Sequence, residues 1–316
     1  TSTSVTEKYQ DKRNDIINVK DKVIEFETGN VLIGSVSRLY MSNKCLLIAD
    51  HKSVDKQIHI FNKNDFSYLT SIGNFGEGPE EITVMGCLAI DEAHHQLYVS
   101  DHAKQKIFSY DMDSVMVDSL YKPQVKTAMN ETLFPSEYQY INDTLSIAVL
   151  IKPTSTSTFN QFLGRWNMNT GEMIPMKYTH PDIQKKRITF AASEKAGIYV
   201  ECYTRHDLMT ICSLDGELLY NIYGPDWDGG NGNKLQSFGT VMIGNDKIFV
   251  SYCGEDYARD SFPTKILVFD LEGNYLKTLE TGYKISDCCY DSFNNRIILS
   301  LNDVVQFAYL DIDGII

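Results

Sequence analysis

Six short apolar strand cores recur along the chain at a near-constant interval. They are Leu46-Leu47-Ile48, Leu97-Tyr98-Val99, Leu145-Ser146-Ile147, Ile198-Tyr199-Val200, Ile248-Phe249-Val250 and Ile297-Ile298-Leu299, spaced 48 to 53 residues apart. A period this regular argues for one supersecondary unit repeated around an axis, because adjoining units bury apolar faces that no single unit can bury alone.

The second repeat shows what the unit contains. Cys87–Asp91, Gln96–Asp101 and Lys106–Asp111 read as strands, and Val115 to Tyr121 reads as a fourth. Turn residues separate them at the spacing of an all-β meander. Similar third strands occur at Ile58–Phe61, Phe162–Trp166, Leu208–Ile211, Ile266–Phe269 and Val305–Tyr309, several closing on Asx/Gly turns such as Leu214-Asp215-Gly216. No segment carries a helical period.

Six such units predict an all-β, six-bladed β-propeller with four-stranded antiparallel blades. The blades fall at 36–82, 83–122, 133–180, 187–224, 237–281 and 284–312, within one domain spanning 19–316 after an N-terminal extension of 1–18. The last unit holds only three strands. The stretch 21–28, with Lys22-Val23-Ile24-Glu25-Phe26-Glu27 at its centre, is expected to supply the fourth as an outer strand and close the ring.

At 316 residues and 43% hydrophobic content, the chain can bury a core in every unit. No apolar run reaches the roughly 20 residues that span a bilayer. Thr1-Ser2-Thr3-Ser4 has neither the basic nor the apolar region of a signal peptide, so any leader was removed or never existed.

The net charge of −13, from 29 basic and 42 acidic residues, opposes attraction to a phosphate backbone and excludes nucleic acid as an expected partner. The densest basic run, Lys185-Lys186-Arg187, reads as a solvated loop. Seven cysteines without CxxC spacing fit neither a full disulfide framework nor a zinc site, and read as buried free thiols.

The segment Ile72-Gly73-Asn74-Phe75-Gly76-Glu77-Gly78-Pro79-Glu80-Glu81-Ile82 resembles the glycine-proline turn of six-bladed propeller proteins of Bacteroidetes. Those proteins are NHL-repeat-like, or TolB-like, and mostly of unassigned function. The stretches Asp50 to Asn62 and Asp101 to Asp111 are similar to the NHL signature, an Asp followed by a loop and a strand ending in an aromatic residue. The turn lacks Gly-Lys-Ser/Thr and a following helix, so it is not read as a nucleotide cradle. The resemblance implies an extracytoplasmic protein, in the periplasm or on the cell surface, with a lipid anchor possible in a full-length precursor. Relatives in the wider propeller set include binding scaffolds, calcium-dependent lactonases and lyases.

Function is sought where loops gather on a rigid scaffold. The loops joining second to third strands carry His51, His102, Tyr203, Arg205, His206, Tyr252, Glu255 and Arg259, which form the candidate ligand-binding set. Asp50 and Asp101 recur at strand ends and are expected to cap turns. Two of these loops are long, at 152–158 and 255–263. No catalytic residue is assigned and no cofactor is expected. Calcium is the one ion considered, at Asp226, Asp228 and Asn231, where oxygen donors alternate without the terminal Glu of an EF-hand. His94-His95 is expected in a solvated turn.

The leading expectation is a monomeric binding scaffold for a protein, peptide or carbohydrate ligand. The alternative is a calcium-dependent lactonase, hydrolase or lyase using carboxylates around the channel.

Overall fold

A computed structural model describes residues 6–232 and 234–316. Residues 1–5, with the Thr1-Ser2-Thr3-Ser4 start read for signal-peptide features, and Asn233 in the glycine-rich loop lie outside the described residues. Six four-stranded blades make this an all-β, six-bladed β-propeller. The described residues form two compact units, 27–176 and a second comprising 6–26 with 177–316.

The unit 27–176 holds blades one to three, each an antiparallel meander. Blade one runs through Ser37–Met41, Cys45–Asp50, Lys56–Asn62 and Tyr68–Asn74. Cys45–Asp50 is buried at every residue. A strand covered on both faces carries apolar residues at successive positions instead of alternating, which is why these cores stand out in the sequence.

Blade two departs from expectation. After Met85–Asp91, Gln96–Asp101 and Lys106–Asp111, the chain forms a helix at Met112–Val117, and its fourth strand is Gln124–Ala128. The blade therefore passes 122, and Val115 to Tyr121 is not its outer strand. Asp111 decides this locally by accepting the Ser114 N–H at 2.9 Å as an N-cap. Blade three comprises Phe134–Asn142, Leu145–Pro153, Phe159–Trp166 and Met173–Pro175.

The other unit holds blade four (Ile188–Ser193, Ile198–Tyr203, Leu208–Ser213, Leu218–Tyr223) and blade five (Leu235–Ile243, Lys247–Asp256, Lys265–Asp270, Tyr275–Glu280). Blade six has Ile285–Asp291, Arg296–Leu301 and Phe307–Asp311. Its outer strand is Ile24–Glu25, paired antiparallel through Tyr309↔Ile24, so the N-terminal stretch completes the last blade as expected.

The residues before it do more than extend. Glu7–Tyr9 adds a parallel fifth strand to the outer edge of blade four, and Ile16–Asn18 does the same for blade five. Fully buried Val19 then packs among Phe249, Val268 and Leu279. Residues 7–9 and 16–18 of the expected extension are thus built into this unit through sheet edges that would otherwise expose unpaired amides.

Repeated aspartates hold the entries to the blades. Asp50 accepts the Gly34 N–H at 2.9 Å, Asp101 those of Thr83 at 2.8 Å and Val84 at 3.1 Å, and Asp303 that of Lys284 at 3.1 Å. The glycine-proline turn closes on Glu81, whose carboxylate accepts the Gly78 N–H at 2.9 Å. A side chain on Gly76 would meet that carboxylate at 2.4 Å.

Candidate functional site

Three segments of the unit containing blade four enclose an open cavity of about 520 Å³. The lead-in to blade four contributes Asp182, Gln184, Lys185 and Arg187, the loop between its second and third strands contributes Arg205 and His206, and the exit from the blade contributes Gly229 to Gly232. Among the described residues the lining holds no apolar side chain. Lys185, Arg187 and Arg205 face it against the single carboxylate Asp182, a local reversal of the chain's acidic balance.

Burial of Lys186 explains why these cations are displayed. Its ammonium lies 2.9 and 2.8 Å from the two carboxylate oxygens of Glu201, and both side chains are buried. Anchoring the middle residue of Lys185-Lys186-Arg187 leaves its two neighbours at the cavity, so the run is not simply a solvated loop. Arg187 donates to the Lys186 carbonyl at 2.7 Å, and partial burial pulls its pKa below the ordinary arginine value. Arg205 sits over the ring of Tyr257, its guanidinium carbon 3.1 Å from the centroid.

Beneath the cavity lies a bed of rings. His206 is only 6% exposed and touches Tyr203 and Trp227 at centroid distances of 5.9 and 6.0 Å. Its Nδ1 is buried without a hydrogen-bond partner, 4.0 Å from Asp228. Burial lowers the His206 pKa, Asp228 opposes the shift, and His180 and Arg205 reinforce it. His180 is fixed at both nitrogens: Nε2 lies 2.7 Å from the Tyr223 hydroxyl and Nδ1 accepts the Asp182 N–H at 3.1 Å.

A second cavity of about 420 Å³ adjoins the first and shares Arg187 and Arg205 with it. Thr204, Gln236, Ser237, Phe238, Cys253 and Tyr257 are among its other walls.

Of the expected ligand set, Arg205 and His206 thus line the larger cavity. Tyr203 and Tyr252 are buried supports. Tyr203 lies beside Glu201, and Tyr252 donates to Asp226 at 2.6 Å. Burial raises both phenols above the ordinary tyrosine range. Glu255 and Arg259 form an exposed ion pair at 3.1 Å that braces the long loop, outside both linings. His51 and His102 belong to the unit 27–176 and both touch Gly86. His51 Nε2 lies 3.1 Å from the Gly86 carbonyl, while His102 packs on Phe134 and is lowered in pKa by burial.

The proposed calcium donors are otherwise engaged. Asp226 accepts from Tyr252, Asp228 accepts the N–H groups of Gly230 and Gly232 at 3.2 and 2.6 Å, and the Asn231 amide donates to the Asp228 carbonyl at 3.0 Å. Asn231 lines the cavity. Among the described residues one His/carboxylate group, Asp91, His94 and Asp143, has the spacing for a metal. Asp91 there accepts from His94 at 2.8 Å and from Tyr98 at 2.7 Å. Asp291 and Asn294 repeat the same turn in blade six at 2.7 Å, so hairpin capping accounts for the arrangement.

A profile of the family described as DUF5128, 6-bladed beta-propeller, matches residues 3–161. No curated protein matches the sequence. Among solved structures, a Bacteroides fragilis protein classed as exported is similar with a TM-score of 0.61 at 13% identity, over 93% of this chain and 87% of its own. A DUF4221 family member from Bacteroides vulgatus is similar with a TM-score of 0.58 at 10% identity, over 95% and 98%. The Cps50 (Swd1) propeller domain of Myceliophteria thermophila has a TM-score of 0.58 at 10% identity, over 92% and 99%. At these identities the likeness is one of fold. No helix among the described residues is long and apolar enough to cross a membrane.

Proposed function

We propose that this chain, which belongs to the DUF5128 family of six-bladed β-propellers, is a binding scaffold that takes an anionic ligand in the cavity beside blade four. One observation carries the reading: Lys185, Arg187 and Arg205 converge on a cavity with no apolar side chain among its described walls, in a chain of net charge −13. Two guanidiniums suit a carboxylate, sulfate or phosphate because each offers paired N–H donors in a fixed plane. The ring bed under His206 and the Tyr257 ring under Arg205 hold these donors before the ligand arrives.

The proposal also places the scaffold outside the cytoplasm, in the periplasm or at the surface of a Bacteroidetes cell, and gives it NHL-like ancestry; the support is that the similar Bacteroides fragilis protein is described as exported. The calcium-dependent hydrolase reading is not favoured at this cavity, where three cations would repel a divalent ion.

Titration calorimetry at low salt tests the reading, using sulfate, galacturonate and glucose. Sulfate or galacturonate binding that Arg205→Gln weakens at least tenfold, with none for glucose, supports it. Equal behaviour of charged and neutral ligands overturns it.

A further inference from the structure

Resting on that anion-binding reading, we infer that the ligand is an acidic oligosaccharide lying across both cavities, with an internal uronate carboxylate at their junction. Arg187 and Arg205 line the cavity of about 520 Å³ and also the adjoining one of about 420 Å³. A site for a small terminal anion needs one recess with its cations at the end. Here the shared cations stand between two recesses, so the charge they neutralise has ligand on either side of it.

The walls decide the chemistry of the flanking parts. Gln184 and Asn231 line one recess, and Thr204, Gln236 and the carboxylate of Asp260 line the other, where Ser237 is buried and donates to the His206 carbonyl at 2.7 Å. Amides and hydroxyls match the alternating donors and acceptors of sugar hydroxyls. Tyr257, 47% exposed, lines only the second recess, where its ring can cover the C–H face of a pyranose. The apolar side chains of a peptide would meet the first recess, whose described walls give an apolar group nothing to pack on.

Calorimetry with four probes tests the inference: galacturonate, a trisaccharide with a uronate between two neutral sugars, a neutral trisaccharide of equal length, and triglutamate. The internal-uronate trisaccharide is expected to bind at least tenfold more tightly than the monomer. The neutral trisaccharide and triglutamate are expected to stay weaker than either. Tyr257→Trp keeps a ring under Arg205 but fills the second recess, and is expected to shrink the trisaccharide's advantage over the monomer, with the melting curve confirming that the variant folds. Monomer binding with no gain for the trisaccharide overturns the two-recess inference and leaves the anion reading standing. So does an advantage that Tyr257→Trp leaves intact. Equal binding of triglutamate overturns the sugar assignment. Failure of sulfate and all four probes removes both readings.

Discussion

The guanidinium of Arg13 lies 2.6 Å from the carboxylate of Asp207, with side chains 5% and 0% exposed, although 194 residues separate the two in sequence. The pair joins the N-terminal segment to the base of the blade-four loop that displays Arg205 and His206. Arg13 also sits over the rings of Phe238, Tyr252 and Phe269 at 5.7, 5.9 and 5.4 Å. Asp207 in turn accepts the Asp226 N–H at 3.0 Å. Asp207→Asn keeps an acceptor for that amide but leaves the guanidinium buried beside a neutral group, which is expected to cost about 3–5 kcal/mol. Urea unfolding of Asp207→Asn, Arg13→Met and the double variant is expected to give a coupling energy well above the roughly 0.5 kcal/mol of independent sites. Additive losses would show that the pair holds nothing together.

His180 makes stability depend on pH in a defined direction. Burial lowers its pKa, against the opposing pull of Asp182 and Glu7. The unfolded chain therefore takes up this proton first, so stability falls as pH drops below about 6.5 and is unaffected by this group above it. Protonating Nδ1 also breaks the bond from the Asp182 N–H. His180→Gln is expected to be less stable at neutral pH but to lose less between pH 6.5 and 5. Parallel stability curves for variant and wild type would exclude His180 as a source of the dependence.

All seven cysteines are free and buried. Burial pushes the Cys87 thiol up to about 11 and Cys212 to about 12, so little thiolate forms at neutral pH. Iodoacetamide at pH 7.5 is expected to leave all seven unmodified in the native protein and to label all seven in denaturant, read by intact mass. Rapid native labelling at Cys253, which lines the second cavity, would mean that this wall opens in solution.

The propeller was legible because strands such as Ile198–Tyr203 and Arg296–Leu301 are buried at every residue and so interrupt the polar background at regular intervals. Glu7–Tyr9 and Ile16–Asn18 were not, since three residues carry too little alternation to mark a strand and their partners lie more than 200 residues away. The cavity was half legible. Arg205 and His206 stood out in a second-to-third-strand loop, but Lys185 and Arg187 resembled any basic loop. Glu201 was the available signal: a carboxylate inside an otherwise apolar strand core requires a buried cation, and Lys186 supplies it.

Two glycines of the cavity rim separate backbone strain from site geometry. Both have left-handed backbones, Gly229 at φ +78° and Gly232 at φ +60°. A methyl group on Gly229 meets nothing within 4 Å, whereas one on Gly232 would lie 2.2 Å from Cε1 of His206. Gly229→Ala should therefore cost only the left-handed penalty, about 1–2 kcal/mol. Gly232→Ala carries that penalty and must also displace a ring only 6% exposed and held by Tyr203 and Trp227. Since His206 lines the cavity next to Arg205, the displacement should reach the ligand. Sulfate or galacturonate affinity is expected to fall at least fivefold in Gly232→Ala and less than twofold in Gly229→Ala. If both variants bind like the wild type, the His206 side of the cavity makes no contribution to holding the anion.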